Sequence, residues 1–241
     1  MSIIKNILKS AASRAGFEIH RNRPRRTDIA DWELYRPLYS PWFSNEFQKY
    51  YSIAAPRTIV SPDRCYVLYT LLKQALNIDG DVIECGVYKG GTASIIARVI
   101  AESAVSKKLY LFDTFSGMPE TDEERGDVPP SDFADTTAED VERFLNEPGI
   151  TVIKKGIIPE TFVGLESLRF AFAHIDVVIY KSVIDSLVFI WPRLLRGGFI
   201  VLDDYGFACC ADSRRAVDKF FSSSKTYPLC LPTGQAVIFR N

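Results

Sequence analysis

The sequence predicts an α/β fold: an open, mostly parallel seven-stranded sheet with helices on both faces. Three observations carry this. From residue 81 onward, short apolar runs alternate with helical stretches. Acids or glycines stand where five of those runs end. The last two runs, TYPLCLP and QAVIFR, are joined by Thr233-Gly234, so they read as a terminal antiparallel pair.

Each element follows in order. Residues 1–26 place Ile3, Ile4, Ile7, Leu8 and Ala11 at helical spacing. Residues 27–60 are aromatic-rich and broken by Pro37, Pro41 and Pro56, which suggests a cap of short helices and loops over a core. A helix is expected over 62–77, with Asp63 as its cap. DVIECG (81–86) is the first strand, followed by a helix over 91–104 and a second strand, KLYLFD (108–113). Residues 114–137 form a long segment with Pro119, Pro129 and Pro130, as expected of a lid. A helix near 138–147 leads to ITVIKKG (150–156), and RFAFAHID (169–176) is the fourth strand. A helix over 182–195 precedes GFIVLDD (198–204), and a helix over 212–222 precedes the final pair. The domain organisation read from this is 1–26, 27–60 and 61–241.

The chain has 241 residues, is 47% hydrophobic and 24% charged, and carries a net charge of −1. That balance argues against nucleic acid as the main partner. The charge is uneven, however. Residues 1–26 hold seven basic groups against Glu18, a charge of +6 that leaves −7 for the remainder. This segment suits a helix packing on the domain or a partner subunit, or a peripheral contact at the inner face of a membrane. No run of eighteen apolar residues occurs, so no spanning helix is expected. Cys65, Cys85, Cys209, Cys210 and Cys230 show no CxxC spacing, and the only histidines are His20 and His174. A structural zinc site is therefore disfavoured, and a reducing, cytoplasmic setting is expected. A homodimer is the expected assembly, because the aromatic segment offers apolar surface.

In open parallel sheets ligands bind beyond the carboxyl ends of the strands. The strand-end residues are Glu84, Gly86, Asp113, Gly156, Asp176, Asp203 and Asp204. The turn Gly86-Val-Tyr-Lys-Gly90-Gly91-Thr92 opens a helix but is neither GxGxxG nor a GKS/GKT loop. Asp113 lies where an acid can accept from both ribose hydroxyls of an adenosine ligand, which leaves NAD and S-adenosylmethionine open. Converging acids at Asp176, Asp203 and Asp204 would repel by several kcal/mol. A hard cation such as Mg²⁺ would relieve this. So would a helix cap together with pairing to an arginine such as Arg214 or Arg215.

DVIECGVYKGGTAS, LYLFDTFSGMPE, HIDVVIYKSVIDSL, WPRLLRGGFIVLDDYGF, SRRAVDKFF and LPTGQAVI together resemble the macrocin O-methyltransferase family over about residues 60–240. The resemblance implies a class I, Rossmann-like methyltransferase fold using S-adenosylmethionine and Mg²⁺. It implies transfer to a hydroxyl of a sugar-containing small molecule or glycan. It places Glu84, Gly86, Lys89, Gly90, Gly91 and Thr92 around the methionine part of the cofactor. Asp113 falls on the ribose, with Phe115 and Ser116 nearby, and Gly156 faces the adenine. It makes Asp176, Asp203 and Asp204 the metal ligands, with Asp176 also catalytic.

Two departures stand out. Val178 and Lys181 occupy positions where the family favours acids. No histidine lies in the segment after the second strand to act as general base, so Asp122, Glu123 and Glu124 are the candidate bases. His174 either orients a ligand or is a satisfied core histidine. Tyr205 either donates to substrate or only packs. Alternative functions are a non-catalytic cofactor-binding subunit of a glycan or natural-product assembly and an NAD-dependent oxidoreductase.

Overall fold

Seven strands form one sheet in the order β3-β2-β1-β4-β5-β7-β6. They are β1 (Asp81–Cys85), β2 (Leu109–Asp113), β3 (Thr151–Lys155), β4 (Phe170–Ile175), β5 (Leu194–Leu202), β6 (Leu229–Cys230) and β7 (Ala236–Phe239). The first five run parallel, and β7 pairs antiparallel with both β5 and β6. The computed structural model describes residues 40–119 and 133–241. Residues 1–26, most of the expected lid, and the candidate bases Asp122, Glu123 and Glu124 lie outside the described residues.

The strands form where expected because each central one is covered on both faces. β4 is buried at all six positions, and β1 at its last four. Among the described residues six α-helices pack around the sheet: α1 (Asn45–Ala54), α2 (Pro62–Ala75), α3 (Gly91–Ala101), α4 (Ala138–Leu145), α5 (Tyr180–Ile190) and α6 (Ala211–Phe221). One core joins α1, α2 and α3 to Val82, Leu109, Leu111 and Val201. The other joins α5 and α6 to Ile83, Phe112, Ile175 and Ile200. The aromatic-rich segment from residue 40 shares the first core through Phe47, Tyr50 and Ala54, and belongs to the compact unit Ser40–Asn241.

Three local expectations differ from what is observed. The N-cap of α2 is Ser61, with Pro62 at the first helical position, where its missing N–H costs nothing. Asp63 instead accepts from the Ser61 hydroxyl at 2.5 Å. α5 ends at Ile190 rather than near 195, because Pro192 removes a helical donor and a 3₁₀ turn, Trp191–Arg193, follows. β5 therefore begins at Leu194, and its pairing with β4 shifts register between Phe170 and Phe172.

Strand order reverses between β1 and β4, which opens a crevice at the carboxyl edge of the sheet. The residues after β1, β2, β3, β4 and β5 all face that crevice.

Candidate active site

The floor of the crevice is a buried chain of charges. Glu84 and His174 are register partners on β1 and β4, so their side chains leave the same face of the sheet. His174 Nδ1 lies 2.7 Å from Glu84 Oε1. Its Nε2 lies 3.6 Å from Asp203 Oδ1, just past the end of β5. α2 packs over this face and delivers Arg64, whose Nη1 donates to Asp203 Oδ2. Gln235, entering β7, donates through Nε2 to Asp203 Oδ1 at 2.7 Å. Glu84, His174 and Gln235 are wholly inaccessible to solvent, and Asp203 is nearly so.

Burial alone would pull the His174 imidazole down. The carboxylates of Asp203 and Glu84 outweigh that and hold it well above its ordinary value. Burial would likewise push the Asp203 carboxyl up, but His174, Arg64 and Gln235 hold it below the usual carboxylate range. The chain Glu84–His174–Asp203–Arg64 thus alternates in sign. Asp203 finds its arginine in Arg64 rather than in Arg214 or Arg215, and Arg215 pairs with Asp212 on its own helix. Neither Arg64 nor Gln235 was singled out from the sequence as a site residue.

The glycine turn and Asp113 form one wall. Gly86 has φ +88°, and a Cβ there would come within 2.1 Å of the Asp176 carbonyl oxygen, so only glycine lets β1 and β4 leave the sheet side by side. Asp113 Oδ2 accepts from the Val87 and Tyr88 amides at 2.7 and 2.8 Å, and Oδ1 accepts from the Phe115 amide at 2.8 Å. The carboxylate thereby sets the turn after β1 and the turn after β2 against each other. Oδ2 is filled by its two amides, and Oδ1 retains acceptor capacity for a ligand hydroxyl.

Asp176 and Asp204, which follow β4 and β5, also line the cavity. Burial, then the negative charges of Asp203 and Asp204, push the Asp176 carboxyl well above its usual range. Burial, then Asp203, push Asp204 up to about 6. Two crowded carboxylates, whose upward shift His174 and Arg64 offset only in part, suit a hard divalent ion. Asp203 is differently placed, since each of its oxygens already accepts from a protein donor.

The cavity has a volume of about 360 Å³, within the range of small-molecule sites. Of the residues expected at the site, Gly86, Gly91, Thr92, Asp113, Gly156, Asp176, Asp203 and Asp204 line it. Glu84 lies beneath it, bound to His174. Lys89 turns away to Asp135, at 2.5 Å. Gly90 faces Val141 and Phe144 of α4. Phe115 is buried in the first core, and Ser116 is exposed on the turn, so Thr114, Gly117 and Met118 stand at the cavity in their place. Ile59, Phe133, Ile157, Val178 and Phe207 give the remainder of the wall an apolar character. His174 is a core histidine with one nitrogen paired. Tyr205 is directed to Asp218 of α6, 2.7 Å away. Lys181 pairs with Asp185 along α5.

Comparison with known proteins gives a consistent picture. A family model described as macrocin-O-methyltransferase (TylF) matches residues 56–240. An 8-demethyl-8-(2,3-dimethoxy-alpha-L-rhamnosyl)-tetracenomycin-C 4'-O-methyltransferase of Streptomyces olivaceus is 28% identical over 171 residues, 61% of this chain and 60% of that protein. A mycinamicin III 3''-O-methyltransferase of Micromonospora griseorubida is 28% identical over 179 residues, 65% of this chain and 68% of that protein. The match thus spans about three fifths of the first of these relatives. The solved structure of the O-methyltransferase NovP shares the fold, with a TM-score of 0.67 at 19% identity over 77% of this chain and 82% of that one.

Proposed function

The chain belongs to the macrocin-O-methyltransferase family, and from that premise we propose that it transfers a methyl group from S-adenosylmethionine to a hydroxyl of a sugar-containing small molecule or glycan. The observation that carries this reading is the pairing of two chemically different groups of residues around one cavity at the strand-order reversal. The glycine turn and Asp113 suit an adenosine-bearing donor. Asp176 and Asp204 suit a hydroxylated acceptor and a divalent ion.

S-adenosylmethionine supplies a methyl already activated on sulfonium, so the tasks left to the protein are alignment and removal of the hydroxyl proton. Alignment of two reactants can lower a barrier by roughly 7–11 kcal/mol. Gly86, Gly91 and Thr92 would admit the donor close to the backbone, and Asp113 would accept from its ribose. The apolar residues Ile157, Val178 and Phe207 exclude water from the space between donor and acceptor. Asp176 and Asp204 would hold Mg²⁺, with Asp203 beside them; such an ion supplies Lewis acidity toward a substrate hydroxyl. Burial and crowding push both carboxyls up, and an ionised carboxylate at either position would be able to accept a hydroxyl proton. The candidates Asp122, Glu123 and Glu124 remain as alternative bases.

Calorimetry should show binding of S-adenosylhomocysteine and no comparable binding of NADH. Labelled S-adenosylmethionine should then mark one of a panel of nucleotide sugars, glycosylated aglycones and glycolipids. Asp204→Ala should retain S-adenosylhomocysteine binding and lose turnover by at least about 10²-fold, the usual value of a positioned acid–base group. NADH binding in place of S-adenosylhomocysteine would overturn the reading.

A further inference from the structure

Two cysteines line the cavity side by side. Cys209 and Cys210 lie at the end of a single 3₁₀ turn, Ala208–Cys210, that leads into α6. Their Sγ atoms are 3.6 Å apart, and both thiols are free. Cys209 is exposed, whereas Cys210 is 7% accessible. The other cysteines are arranged differently. Cys65 and Cys85 are fully buried, and Cys230 is exposed on the two-residue edge strand β6.

We propose that Cys209 and Cys210 form a vicinal dithiol modification site in the cavity wall, which a peroxide closes to a disulfide and thereby alters ligand binding.

The chemistry balances with hydrogen peroxide as oxidant. The Cys209 sulfur, open to solvent, attacks one peroxide oxygen; the O–O bond breaks, water leaves, and a sulfenic acid forms. The Cys210 sulfur then attacks the Cys209 sulfur. The S–O bond breaks, the Cys210 proton leaves with the hydroxide as a second water, and the S–S bond closes a small ring that includes the peptide bond. Two thiols are oxidised and one peroxide is reduced. Burial, and then the negative charge of Asp204, hold the Cys210 thiol protonated until that step.

The consequence for the cavity follows from what the turn carries. The Cys210 amide donates to the Phe207 carbonyl at 3.1 Å. The Phe207 ring lies 4.9 Å from the Arg64 guanidinium, which in turn holds Asp203. A ring at 209–210 cannot keep an open 3₁₀ turn unchanged, so Phe207 and the wall beside Asp204 must shift. This site adds sensitivity to thiol-directed reagents, and it does not depend on which acceptor the protein methylates.

The full chain, reduced and then treated with hydrogen peroxide, should become lighter by two hydrogens. The loss should map to the tryptic peptide 197–214 and reverse with dithiothreitol. C210S should block closure and leave Cys209 as a sulfenic acid that dimedone traps. The affinity for S-adenosylhomocysteine should fall at least about five-fold on oxidation, the lower end of ordinary coupling between sites, and C209S should abolish that response. A peroxide-treated chain that forms interchain disulfides through Cys209 or Cys230, or that carries dimedone on Cys209 without any loss of hydrogens, overturns the proposal. So does closure with unchanged S-adenosylhomocysteine affinity. If neither the reduced nor the oxidised chain binds S-adenosylhomocysteine, the methyltransferase reading fails, while the mass measurement still decides the dithiol chemistry.

Discussion

Asp203 stands among acids that a reader of the sequence would treat alike, yet its neighbours give it a separate role. It is held by Arg64 and Gln235 beside His174, whereas the repulsion between Asp176 and Asp204 is offset only in part by His174 and Arg64. Removing one partner of a buried pair strands the other charge. Asp203→Ala should therefore cost about 3–5 kcal/mol of stability in urea unfolding. The double variant Arg64→Met/Asp203→Leu should recover part of that loss, because Arg64 is then no longer stranded, while His174 keeps Glu84 and Gln235 loses its acceptor. Equal stability of Asp203→Ala and the parent chain would show that the pair is not closed in solution.

The three acids were legible in the sequence because each follows a run that had to be a buried strand. Arg64 was not legible. It sits in the first turn of an ordinary amphipathic helix, and 139 residues separate it from its partner, so no local pattern marks it. Gln235 was equally silent, as a polar residue at the start of an edge-side strand.

The elements show why most of the sheet could be read and some of its ends could not. Parallel strands covered on both faces leave continuous apolar runs, and β1, β2, β3 and β4 all lie within a residue or so of where those runs place them. Ends are set by single backbone groups. Pro192 stops α5, and the freed chain lengthens β5.

The turn after β1 is the element on which the site depends most, and its glycines are not interchangeable. Gly86→Ala should cost about 1–3 kcal/mol or more, since it combines a left-handed backbone with a clash against the Asp176 carbonyl. Gly149→Ala, in open space with an ordinary φ, should change the unfolding free energy by no more than about 0.5 kcal/mol. Asp113→Ala should remove the acceptor of three backbone amides. It should destabilise by about 1–3 kcal/mol and weaken S-adenosylhomocysteine binding in calorimetry beyond what Asp113→Asn does.

For the whole molecule, ligand binding and folding are linked, because the cavity walls come from elements far apart in the chain. S-adenosylhomocysteine at one hundred times its Kd should stabilise the fold by about 2.7 kcal/mol. For a chain of this size that raises the melting temperature by roughly 5–10 °C. Scanning calorimetry with and without the ligand measures it, and an unchanged midpoint would deny a site in the native state. Among the described residues no helix is long and apolar enough to cross a membrane.

The alternation of buried strands with helices, the glycine turn and the acid-ended strands could be determined from the order of residues, because each is a local pattern repeated at short range. Which acid is neutralised, by what, and which two are left crowded were decided only in the tertiary structure. Arg64, Glu84, His174, Asp203 and Gln235 come together from α2, β1, β4, the end of β5 and the entry to β7, and electrostatic energy depends on separation in space rather than along the chain.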